Sequence, residues 1–231
     1  MNAVMWSDFI TCKQMLKTQL LISAIIALAV SLPTGTVNVI CPTVAVSMAV
    51  STAVSVVALD ERNGWEGFRA CMPLSRADIM RGRMGFIALV SVVAVLMGLL
   101  LSFVIGAVMQ AVAPTFNIDP EGFAISGLDL LFTVCATLCV LALSVGVTMP
   151  LVARYGMSNA MRFVGLVWVA LFIVVFVAVD SSPFGPVLVE ALDTLISGYP
   201  VVACGCALLV AVLIYVASAA ISTKLYQTRE F

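Results

Sequence analysis

Apolar residues run through this chain in long, nearly charge-free stretches, and the charged residues collect in the short segments between them. A helix needs roughly 20 apolar residues to cross the hydrocarbon core of a bilayer. The first stretch, Thr18 to Leu59, is about twice that length and carries Leu32-Pro33-Thr34-Gly35-Thr36 near its middle, a turn signal. It divides into helices at about 18–36 and 39–59, and further spans follow at about 84–112, 130–152, 163–179 and 201–221. The fold class expected is therefore all-α integral membrane, with six transmembrane helices in a single domain over residues 1–231.

Two segments fit neither a span nor a simple loop. Residues 2–17 set Trp6, Phe9, Ile10, Met15 and Leu16 among Asp8, Lys13 and Lys17. That mixture predicts an amphipathic helix lying in the membrane interface, with Trp6 at headgroup depth. Lys13 and Lys17 ahead of an apolar run also resemble a signal peptide, but the second apolar run follows at once, so an uncleaved first span is expected. In residues 183–198, Leu188, Leu192 and Leu195 fall at i, i+4, i+7 with Glu190 and Asp193 off that stripe. This predicts a helix too short to cross, re-entrant or lying on the outer face before the last span.

Charge orients the six spans. The 11 basic residues are Lys13 and Lys17 before the first span, Arg62, Arg69, Arg76, Arg81 and Arg83 between the second and third, Arg154 and Arg162 between the fourth and fifth, and Lys224 and Arg229 after the sixth. All fall on one side. The other side holds Asp119, Glu121, Asp129, Asp180, Glu190 and Asp193 and no cation. Cytoplasmic loops carry the excess of Lys and Arg. The expectation is a multi-pass plasma-membrane protein with both termini in the cytoplasm.

Composition agrees and narrows the chemistry. The chain is 63% hydrophobic and 10% charged, with a mean hydropathy of +1.19, where soluble domains are about 45–50% apolar and about 25% charged. Most of its surface must be solvated by membrane lipid. A net charge of −1 offers no basic excess for nucleic acid. Histidine is absent, which removes the commonest general base and metal ligand. The seven cysteines form no C-x-x-C pair, and Cys135/Cys139 and Cys204/Cys206 lie in apolar runs. They read as small apolar side chains packed between helices rather than as a metal or redox site.

The longest segment on the basic side, Asp60 to Arg83, exceeds what a connector needs. Gly64 and Gly67 permit tight turns around Trp65. Trp65, Phe68 and Met72 lie at i, i+3, i+7, one helical face, and Pro73 stops that short helix. Ser75 and Asp78 have capping-box spacing for a second helix running straight into the third span. This is the design of a docking element, although Trp65 and Phe68 suit an interfacial anchor equally well.

Asp60-Glu-Arg-Asn-Gly-Trp-Glu-Gly-Phe68, followed by Met72-Pro-Leu-Ser-Arg-Ala-Asp-Ile79, resembles the signature of ABC-2-type transporter permeases, in particular the small six-helix permeases of peptide and bacteriocin exporters. Met72 replaces the usual Leu. The tail from Ser222 through Tyr226 to Arg229-Glu230 is similar to the family's closing pattern. The resemblance implies a bacterial membrane, a pore-forming subunit, and a separate cytoplasmic ABC ATPase that binds ATP and Mg. It also implies a second permease copy or a sister permease. The chain itself has no Gly-x-x-x-x-Gly-Lys-Ser/Thr loop to cradle ATP phosphates, so no cofactor of its own and no catalytic role are expected. Under the resemblance, Asp60, Glu61, Asn63, Gly64, Trp65, Glu66, Phe68, Arg69, Pro73, Ser75 and Arg76 form the ATPase-coupling element. Trp65 and Phe68 are then its anchors, and Arg69 and Arg76 its rim charges.

No charged residue lies deep in a span, which argues against an ion-coupled carrier and for an apolar or amphipathic cargo, a peptide among the candidates. Ser47, Ser51 and Ser55 repeat every four residues along the second span. They are candidates for lining a translocation path, though small hydroxyl residues more commonly serve close helix packing. The alternative function is a non-transporting membrane assembly or scaffold protein. An intramembrane enzyme is disfavoured by the missing histidine and the lack of paired intramembrane carboxylates.

Overall fold

The computed structural model describes residues 2–64, 75–112, 127–180 and 198–228, all of them in helices or the turns beside them. Helix α1 is Asn2–Thr34, α2 Ile40–Arg62, α3 Arg76–Val112, α4 Gly127–Asp180 and α5 Pro200–Gln227. Among the described residues, five segments are long and apolar enough to cross a membrane: Val4–Ser31, Ile40–Arg62, Arg76–Val112, Gly127–Met157 and Pro200–Gln227. The expected fifth span, 163–179, lies in the part of α4 that follows a break at Gly156, where the backbone is helical to Asp180. The expected helix at 183–198 falls outside the described residues apart from its last position.

The expected turn between the first two spans is present. α1 ends at Thr34, one residue after Pro33, the Gly35 amide bonds to the Ser31 carbonyl at 3.0 Å, and α2 starts at Ile40. The expected separate interfacial helix over 2–17 is not. Residues 2–34 form one unbroken α-helix, about 50 Å long at 1.5 Å per residue. Its sequence gives the physical reason: no Gly or Pro interrupts it before Pro33, and the Met15-Leu16-Lys17 junction is made of good helix formers. The first turns also have a partner. Val4, Asp8 and Cys12, spaced by four, are buried, and Cys12 clusters with Val56 of α2 and with Phe86 and Val90 of α3. A segment that looked amphipathic toward lipid turns one face to the bundle, while Trp6 on the opposite side is 65% exposed.

α2 is the most enclosed helix and packs against α1, α3 and α4, while α4 packs along α5. Its stripe of Val44, Ala45, Met48, Ala49 and Ala53 meets Ile87 and Ala94 of α3 and Val145 and Met149 of α4 in one cluster. α2 and α3 approach until a Cβ on Gly98 would lie 3.0 Å from the Cα and carbonyl oxygen of Cys41. That closeness is the small-residue packing expected where lipid removes the hydrophobic drive between helices. Hydroxyls in the interior mostly bond back to their own helix: Thr52 to Met48 O at 2.7 Å, Ser91 to Ile87 O at 2.7 Å, Thr148 to Ser144 O at 2.7 Å. Cys12, Cys41 and Cys135 are buried among the helices.

Candidate functional site

The ends of four helices meet where the basic residues concentrate, and polar side chains fasten them. The buried stripe of α2 continues through Thr52, Ala53, Val56 and Val57 to Asp60. That of α3 runs Ile79, Met80, Arg83, Met84, Ile87. Each stripe therefore carries one charge at its end, and the two charges meet: Arg83 Nη2 donates to Asp60 Oδ2. The pair is 2% and 6% exposed. Removing two ions from water costs several kcal/mol each unless they are paired, so each fixes the other's place. Tyr226, at the end of α5, is buried beside this pair and shares a small cavity wall with Arg83, Met80 and Met149.

The neighbouring carboxylate does something different. Glu61 Oε2 accepts the backbone N–H of Met157 at 2.8 Å. Met157 follows Gly156, whose φ of 71° and ψ of 174° lie outside the helix and in a region open essentially to glycine alone. The helix thus breaks at one residue and restarts at Met157, where the free amides carry the positive end of the helix dipole. Glu61 supplies the negative partner. Past the break, Ala160 packs with Val57 of α2 and Val152 of the preceding arm. Where the sequence predicts a loop between spans four and five, the structure has a hinge-like break clamped by a side chain from α2.

The remaining expected coupling residues divide by position. Asp60 and Glu61 belong to the last turn of α2, which runs to Arg62, three residues beyond the expected end of that span. Asn63 terminates it, donating its amide to Leu59 O at 3.1 Å, and Gly64 follows with φ 65°. Ser75 and Asp78 form the expected cap: the Asp78 amide bonds Ser75 Oγ at 3.1 Å, and the Ser75 hydroxyl donates to Asp78 Oδ2 at 2.5 Å. Arg76 reaches across to the other chain end, its Nη1 donating to the Gln227 carbonyl at 3.4 Å. Trp65, Glu66, Phe68, Arg69 and Pro73 lie outside the described residues. Ser47 and Ser51 are half-buried and Ser55 is buried along α2, with Ser47 Oγ bonded to Val44 O at 3.1 Å.

Sequence reading missed the Asp60–Arg83 pair, the Glu61 clamp and the burial of Tyr226. A signal for the first was present. Arg83 falls on the i, i+4 stripe of Ile79, Met80, Met84 and Ile87, and a cation on an apolar stripe requires an anion.

A family model described as ABC-2 family transporter protein matches residues 5–227. No curated protein and no solved structure matches the chain significantly. The matched stretch reaches each of the five described helices and includes both members of the buried pair. The chain therefore belongs to the ABC-2 family of transporter proteins and is a multi-pass membrane permease of that family.

Proposed function

We propose that this chain is the pore-forming subunit of an ATP-driven exporter, and that a separate cytoplasmic ATPase docks on the element between α2 and α3. In this reading six spans place both termini in the cytoplasm, a second permease copy or a sister permease completes the path, and the cargo is apolar or amphipathic, with peptides the first class to try. Trp65 and Phe68 are the apolar anchors, as buried aromatics often are at interfaces.

The observation that carries the reading is the fastening of the element's first two residues. Asp60 is locked to α3 through Arg83, and Glu61 is bonded to the amide that restarts α4. A push on residues 65–74 would be delivered to three helices at once rather than lost in a slack loop. An isolated anchor loop has no need of such fastening. The test is co-purification of the partner ATPase with Trp65→Ala and Phe68→Ala permeases in detergent. Loss of a hot-spot aromatic costs at least 2 kcal/mol, about thirtyfold in affinity, so the ATPase should fall away in washing. Undiminished co-purification and transport would remove the docking role.

A further inference from the structure

A groove runs between α3 and α5 on the outside of the bundle. At its basic end it is a hollow of about 570 Å³, with Arg81 on one wall and Lys224 on the other. The two cations come from antiparallel helices whose ends are tied by the Arg76–Gln227 bond, so they face one opening. Both are exposed. Arg81 sits two residues from buried Arg83 but off the apolar stripe, so it is left to the surface. Asp78, the carboxylate one turn before Arg81, accepts the Ser75 hydroxyl and also interacts with Arg81 electrostatically, so the hollow's two cations outweigh one nearby carboxylate and leave a net positive charge. Ala219, Ala220 and Ile221 form an apolar floor beneath the cations.

Toward the opposite end the groove continues. Val216 lines both this hollow and a second one of about 220 Å³ bounded by Val92, Leu138, Leu208 and Val212. Tyr215 also lines the second hollow, and its hydroxyl is turned inward to the Met84 carbonyl at 2.6 Å, leaving ring rather than oxygen at the groove. From Lys224 to Leu208 the track is 16 residues of α5, about 24 Å of helix and most of the roughly 30 Å hydrocarbon thickness. The feature is thus amphipathic along its length: two cations at one end, then an apolar track.

We propose that this groove binds one anionic phospholipid, with its phosphate between Arg81 and Lys224 and an acyl chain along Val216, Val212 and Leu208. The match is one of charge and direction. Basic hollows between membrane helices on the cytoplasmic side suit acidic headgroups, and the cytoplasmic leaflet carries them. Seating a lipid here bridges α3 and α5 beside the Arg83–Tyr226 corner, so the occupant stiffens the end of the bundle where the ATPase is proposed to act. The leaflet assignment rests on the proposed orientation, whereas the binding itself does not.

The test is native mass spectrometry of the purified chain in detergent, titrated with dioleoylphosphatidylglycerol or with dioleoylphosphatidylcholine. Retention of one phosphatidylglycerol is expected at concentrations where phosphatidylcholine is lost. A cation near an anionic headgroup contributes about fivefold in affinity, so Arg81→Gln or Lys224→Gln should weaken retention about fivefold and the double variant about thirtyfold. Lys224→Arg should retain the lipid, as should Arg154→Gln, which removes an equal charge outside the groove. Ala220→Trp, which fills the exposed floor and keeps both cations, should also displace it. Equal retention of the two lipids, or undiminished retention by the double variant, overturns the proposal. So does a double variant that loses its ATPase or second permease copy while still holding phosphatidylglycerol, for then the groove is a protein interface. Accessibility of a reporter fused after Phe231 tests orientation separately. Were it to lie outside the cell while lipid retention followed the two cations, the site would stand and the proposed orientation would fall.

Discussion

The middle of the bundle and its basic end are built on different principles. In the middle, helices touch through small and apolar residues such as Gly98 against Cys41, and hydroxyls bond mainly within their own helix. Such contacts specify closeness but not register, since one turn resembles the next. At the basic end, four polar ties among the described residues join chain segments far apart in sequence: Arg83 with Asp60, Glu61 with Met157, Arg76 with Gln227 and Tyr215 with Met84. Each joins specific atoms and so fixes register as well as closeness. Under the proposed function, that division would leave close-packed, mostly apolar contacts along the spans and place the cross-sequence ties at the end where the ATPase is proposed to dock.

The largest effect is expected at the buried pair. Asp60→Ala leaves the Arg83 guanidinium without its carboxylate in a dry site and should cost about 3–5 kcal/mol, seen as a large loss of thermal stability in detergent. The double replacement Asp60→Leu with Arg83→Met should recover most of that loss, because the penalty belongs to the orphaned ion rather than to the missing bond. Equal damage from single and double variants would show the pair to be worth more than its desolvation. A smaller effect is expected at the break in α4. Gly156→Ala forces a side chain into φ 71° and should cost about 1–3 kcal/mol, measured in the same melt. The smallest belongs to the middle. Ser47→Ala, Ser51→Ala or Ser55→Ala should each shift stability by about 0.6 kcal/mol or less. A cargo-selective change in transport from any of them would instead favour a lining role.

What could be read from the sequence follows the same line. The elements of the middle announce themselves, because lipid demands long apolar runs and Pro33 with Gly35 interrupts one of them where the first turn occurs. The Ser75–Asp78 cap was equally legible, since both partners lie within one turn. The joints were not. Asp60 and Arg83 are 23 residues apart, and Glu61 and Met157 are 96 apart, so only folding brings them together. Reading every charge as loop put Arg83 at the surface, although its place on an apolar stripe marked it for burial. The N-terminal helix misled for a related reason: Asp8 looked like a polar face, yet it is 1% exposed against the bundle.

If the proposed coupling holds, Glu61 carries motion of the segment after α2 to the break in α4 through its bond to the Met157 amide. The most direct measurement is cargo-stimulated ATP hydrolysis by the reconstituted permease–ATPase complex carrying Glu61→Gln. The ATPase should still co-purify in full, because Trp65 and Phe68, the proposed docking residues, are unchanged. Its stimulation should fall about two- to fivefold, because a neutral amide holds the Met157 N–H and its helix dipole less firmly. Full stimulation with Glu61→Gln, or loss of the ATPase itself, would contradict it.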